Sequence, residues 1–206
     1  MWQERSISMR LDENNVKEWV IISQLIKNIS ITLLIGTVLV AGLFAFSASG
    51  KESGGDFKVG SGNNDWWTTY PSQSTGSGSE VNQPQWVLDA LKSNPVLIYV
   101  HKDCSYCVPQ TKAIANITEE YGSDIKVFNF GVDNGDERAE EALMAYDPNG
   151  DVTYVPMTII VTLAPDSAGK IKPVWHSTEE VTGDAWIKSY VDDAISYHKT
   201  NSASWK

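Results

Sequence analysis

Residues 28–50 carry no charged side chain, and within them Ile29 to Ser49 is a run long and apolar enough to span a bilayer. About 20 such residues cover the roughly 30 Å hydrocarbon layer. A buried core helix is the competing reading, but a membrane span is the expectation, and it divides the 206-residue chain before any fold is considered. Ala45, Ser47, Ala48 and Ser49 would suit a cleaved signal peptide, but the preceding 27 residues are polar and mixed in charge, where a signal peptide has a short basic lead. The expectation is an uncleaved signal anchor: residues 1–27 as a cytoplasmic segment and 28–49 as a single transmembrane helix. Arg5, Arg10, Lys17 and Lys27 precede the span, and only Lys51 and Lys58 follow it closely. That bias places the N-terminus in the cytoplasm and the rest of the chain outside the cell membrane.

Residues 47–83 hold eight serines and seven glycines. This composition predicts a flexible linker over 50–83, because it offers little apolar surface to offset the entropy of ordering. As a coil it would span roughly 33 Å. Trp66-Trp67-Thr68-Thr69-Tyr70-Pro71 interrupts it, and is expected to be a docking motif, a clip onto the domain or bilayer surface, or a local apolar patch with no role.

From Pro84 to Lys206 there are ten basic and eighteen acidic groups, most of the formal charge of -10. An acidic surface of this kind excludes nucleic acid as a partner. The pattern is that of an α/β domain. Gln85 to Leu91 reads as a short helix, and Val96 to Val100 as a buried strand. A helix containing Ala113, Ile114, Ile117 and Tyr121 ends at Gly122, and a second strand covers Ile125 to Phe130. Glu137 to Tyr146 has helical spacing, Val155 to Val161 is a strand opened by proline, and Asp166 to Gly169 turns into a strand over Ile171 to His176. An amphipathic helix from Asp184 to His198 completes a mixed sheet flanked by helices.

Only two cysteines occur, Cys104 and Cys107, at the junction of the buried strand and the following helix. This junction, the Val155-Pro156 that opens a later strand, and the closing strand, hairpin and helix together resemble the thioredoxin superfamily over about residues 85–200. The resemblance implies a thioredoxin-like fold, a cis-proline at Pro156, and a site in which Val155 and Pro156 contact substrate backbone beside the cysteine pair. Ser105-Tyr106 between the cysteines is closer to glutaredoxins and periplasmic disulfide isomerases than to cytoplasmic thioredoxins. Ile98 stands where the latter bury an acid.

The chemistry of the pair follows from the residues. A thiolate attacks disulfides where a thiol hardly does, and a helix N-terminus stabilises the anion through unpaired amides and the dipole. Cys104 is therefore the expected nucleophile and Cys107 the resolving thiol. His101 and Lys102 favour the anion and Asp103 opposes it. The expected function is a membrane-anchored, extracytoplasmic thiol-disulfide oxidoreductase acting on protein thiols and disulfides and served by a redox partner protein. The candidate site residues are Cys104 and Cys107 as catalytic groups, with Val155, Pro156, Ser105 and Tyr106 against the substrate. No cofactor is expected. A zinc site would have to recruit two of His101, His176 and His198, which lack ligand spacing. The competing readings are an inert structural disulfide, and a thioredoxin-like binding or chaperone module or dedicated partner in cytochrome or metal-site assembly.

Overall fold

The computed structural model describes residues 57–206. The expected cytoplasmic segment and transmembrane anchor lie outside them, and among the described residues no helix is long and apolar enough to cross a membrane. The strands are β1 (Val59–Gly60), β2 (Trp66–Trp67), β3 (Val96–His101), β4 (Lys126–Gly131), β5 (Met157–Pro165) and β6 (Ile171–Thr178). The helices are α1 (Gln85–Leu91), α2 (Cys107–Tyr121), α3 (Glu137–Ala145) and α4 (Asp184–Asn201). One sheet runs in the order β1-β2-β6-β5-β3-β4, with β3 parallel to β4 and antiparallel to β5, and β5 antiparallel to β6. The mixed sheet flanked by helices expected from the sequence is present.

Residues 96 to 100 of β3 are wholly buried because both faces of the sheet are covered. Alternation sends Val96, Ile98 and Val100 into one core with α1 and α3, and Leu97 and Tyr99 into the other with α2 and α4. Helix spacing supplies the matching stripes, Ala113, Ile114 and Ile117 on α2, and Ile187, Tyr190, Val191 and Ala194 on α4. Two turns fix the register. Gly122 ends α2 at φ 49°, and the Asp166 carboxylate accepts from the amides of Ala168 and Lys170, both at 2.9 Å, in the β5–β6 hairpin.

The flexible linker expected over 50–83 is corrected from Phe57 onward. β2 pairs with β6 through Trp67 and Trp175, and β1 pairs with β2. Adjacent strand residues face opposite ways, so Trp67 enters the first core and Trp66 the second, both essentially without exposure. An aromatic side chain of this size buries about 150–250 Å², which an average over serines and glycines conceals. The indole N–H of Trp66 donates to the buried Asp193 carboxylate (2.6 Å), and that of Trp67 donates to the Gly62 carbonyl (2.8 Å). Further along, the Thr75 amide donates to the Asn149 carbonyl (2.8 Å), tying this strap to the loop before β5. The Trp-Trp motif is thus part of the core of the domain.

His176 on β6 lies between the rings of Trp67 and Tyr190, each 4.2 Å away, with Nδ1 on the Asp65 carbonyl at 2.8 Å. Burial depresses its pKa to about 4, against a smaller opposing effect of the Asp65 carbonyl. The unfolded chain takes up a proton near pH 6.5 and the folded one does not. This group's contribution is therefore complete above about pH 6.5 and is lost as pH falls to about 4. Two outcomes follow in denaturant melts of the full chain. Trp66→Ala lowers stability by about 3–5 kcal/mol. The loss of stability between pH 6.5 and pH 4 shrinks by about 1–3 kcal/mol in His176→Gln relative to the native chain.

Candidate functional site

β3 ends at His101, and the chain turns through Lys102 and Asp103 to reach Cys104. α2 begins at Cys107, so Cys104 occupies the turn leading into the helix. The two cysteines are joined in a disulfide with their Cα atoms 5.3 Å apart. The Cys107 amide donates to the Cys104 carbonyl at 3.0 Å and also lies 3.2 Å from Cys104 Sγ. It is one of the first-turn amides that a helix leaves without an internal partner. Its approach to sulfur is the arrangement that stabilises a thiolate when the disulfide opens. Cys104 is half-buried, whereas Cys107 is 2% exposed. Of the two sulfur-bearing residues, Cys104 is therefore the accessible one.

Around the pair, Ser105 and Tyr106 are exposed, Tyr106 to 77%. Val155 is half-buried, Pro156 is buried, and the peptide between them is cis. Met157 pairs with Val100, which sets Val155-Pro156 level with the chain leaving β3 toward Cys104. All six sequence-expected residues thus lie at one end of the sheet. A cavity of about 590 Å³ borders both cysteines and is also lined by His101, Lys102, Asp103, Lys112 and Asp133. The His101 ring stacks on Tyr99 at 4.9 Å. The other two histidines are engaged elsewhere, His176 as described and His198 with Nε2 on the Leu91 carbonyl at 2.7 Å.

Three residues at this site were not singled out from the sequence. Tyr99 and Thr111 both donate to the Cys107 carbonyl, at 3.0 and 2.9 Å, fastening the first turn of α2 to β3. Burial raises the Tyr99 pKa, with the Thr111 hydroxyl working weakly against it, so the phenol stays a donor. Gln110 is fully buried and uses its whole amide. Nε2 donates to the hydroxyls of Thr158 (2.8 Å) and Thr182 (3.2 Å), and Oε1 accepts from the amides of Thr182 (3.0 Å) and Gly183 (3.3 Å). It joins the cysteine helix to the strand after the cis-proline and to the loop before α4. A polar residue in the apolar stripe Cys107, Ala113, Ile114 and Ile117 was the signal available in the sequence.

No protein-family model matches the chain, and no curated protein matches it. Solved structures similar to it include a malarial protein at 12% identity and TM-score 0.35, covering 49% of this chain and 97% of that one. Thioredoxin-2, described as a component of the malaria parasite protein secretion machinery, is similar at 12% identity and TM-score 0.34, covering 48% of this chain and 82% of its own. Chloroplastic thioredoxin z is similar at 20% identity and TM-score 0.32, over 52% and 84%.

Gln110→Leu leaves the half-buried amides of Thr182 and Gly183 and the hydroxyls of Thr158 and Thr182 without their partner at the junction of these three segments. The expected cost is about 2–3 kcal/mol in denaturant melts. Tyr99→Phe, which leaves Thr111 on the same carbonyl, costs about 1 kcal/mol.

Proposed function

We propose that the chain is a membrane-anchored thiol-disulfide oxidoreductase of the thioredoxin-like type, with its folded domain outside the cytoplasm. The observation that carries the redox reading is the Cys104–Cys107 disulfide at the entry to α2, with the Cys107 amide 3.2 Å from Cys104 Sγ. An inert structural crosslink would close only a four-residue loop, which restrains the unfolded chain little. The half-buried position of Cys104 beside a cavity instead suits exchange. The cis Val155-Pro156 at the same end of the sheet supports the thioredoxin-like reading. The uncharged span at 28–50 and the preceding basic residues support the anchor and its orientation.

In the reduced protein the Cys104 thiolate attacks one sulfur of a substrate disulfide. A mixed disulfide forms, and the other substrate sulfur leaves as a thiolate that takes up a proton. Cys107 then gives up its proton and attacks Cys104 Sγ, releasing the second substrate sulfur. The protein ends oxidised and the substrate carries two thiols; the reverse sequence oxidises a substrate dithiol. Val155 and Pro156 meet the substrate main chain, which pairs with little demand on its sequence, and Ser105 and Tyr106 face it from the cysteine turn. A redox partner protein restores the starting state of the pair.

Cys104→Ser is expected to reduce exchange with a protein disulfide to the uncatalysed rate, and full activity in that variant overturns the mechanism. Cys107→Ser is expected to accumulate the mixed disulfide, read as a mass gain equal to the substrate. The reduction potential of the pair assigns direction, a value of about -270 mV indicating a reductant and one of about -120 mV an oxidant. A membrane-impermeant thiol reagent applied to intact cells after mild reduction is expected to label Cys104, and protection of that thiol would place the domain inside.

A further inference from the structure

A second cavity, of about 580 Å³, opens beside the loop that carries the cis-proline. Tyr154, the residue before Val155-Pro156, forms part of its wall, and so does Thr182, whose amide is bonded to Gln110 of the cysteine helix. Asn63, Asn64 and Trp67 of the strap close it from the other side. It therefore exists only because residues 57–83 are folded onto the sheet.

Its chemistry is specific. Trp186 and Tyr154 offer aromatic surface, Tyr154 being 60% exposed. The formally charged residues among its walls are Glu179 and Glu180, and no lysine or arginine lines it. His176 contributes a ring that burial keeps neutral down to about pH 4. The Glu179 carboxylate is held in place by the Tyr154 amide (2.6 Å) and the Asn149 side-chain amide (2.7 Å), so it also positions Tyr154. Glu180 is exposed, and among the described residues its carboxylate accepts no hydrogen bond and joins no ion pair. Asp147 and Asp151 add to the negative potential around Glu179.

We infer that this cavity receives an arginine side chain of the substrate polypeptide, its guanidinium stacked on Trp186 and paired with Glu180. The inference rests on the oxidoreductase reading, since it assigns the cavity to the substrate engaged at Cys104. A planar cation fits because it satisfies an aromatic face and a carboxylate together, whereas an ammonium is a point charge without a face to stack. A substrate strand running past the Val155 main chain passes Tyr154 next. The cavity thus adds a side-chain preference to recognition that is otherwise main-chain pairing, selecting cysteines with an arginine a few residues away.

The test uses full-length protein and synthetic disulfide peptides in which a single arginine, or its neutral isostere citrulline, is moved through the positions flanking the cysteine. In one register the arginine peptide is expected to exceed the citrulline peptide in kcat/KM by about tenfold, through KM. That preference disappears in Glu180→Gln and reverses toward a glutamate peptide in Glu180→Lys. A small aromatic disulfide, which cannot reach the cavity, reports on the cysteine pair alone. If the protein turns over the small disulfide but treats arginine and citrulline alike in every register, the arginine site is wrong and the oxidoreductase reading stands. If even the small disulfide is not turned over, the redox reading fails. The cavity is then judged by titrating a cysteine-free arginine peptide and following tryptophan fluorescence. A saturable change that is not given by the citrulline peptide and is lost in Glu180→Gln supports the site, and its absence overturns it.

Discussion

β3 is the element on which the other parts of the domain depend. It lies between β4 and β5, with residues 96 to 100 buried on both faces, so both cores are anchored on one strand of alternating side chains. Its last residues open into the turn carrying Cys104, and its Tyr99 hydroxyl returns to the Cys107 carbonyl. The cysteine turn is thereby fixed at both ends: by the ladder of β3 on one side and by the first turn of α2 on the other.

The strap extends this logic to the far edge of the sheet. Trp66 and Trp67 divide between the two cores as the residues of β3 do. The turn after them meets the 149–150 segment through Thr75, and Glu179, just beyond β6, holds the same loop through Asn149 and Tyr154. The loop before the cis-proline is therefore positioned from two sides, by the strap and by the end of β6. Gln110 does the corresponding work between α2, β5 and the loop before α4. A fully satisfied buried amide costs little and specifies one arrangement of its three neighbours.

Much of the domain was legible in the residues. The continuous apolar run at Val96 to Val100, the helical stripes and the Asp166 to Gly169 turn each correspond to an element of the structure, because each is decided by local periodicity or turn chemistry. β5 begins two residues later than expected, at Met157, since proline donates no ladder hydrogen bond. It then runs on to Pro165 in partnership with β6. The strap was not legible. Its composition is that of a coil, and the value of its two indoles depends on slots that exist only once β6 and α4 are in place. Gln110 was visible as a polar break in an apolar stripe, but its partners lie 48 and 72 residues away.

By itself, the sequence determined the alternation of strands and helices, the position of the cysteine pair at a strand-to-helix junction, and the uncharged span near the N-terminus. These are properties of spacing and side-chain type, expressed within a few residues of where they are written. Only the tertiary structure decided that Phe57 to Gln83 belongs to the domain, that Cys107 is shielded while Cys104 is accessible, and that acids and aromatics gather beside the cis-proline. Each of these depends on surfaces contributed by segments far apart in the chain, and burial is a property of the assembled layers.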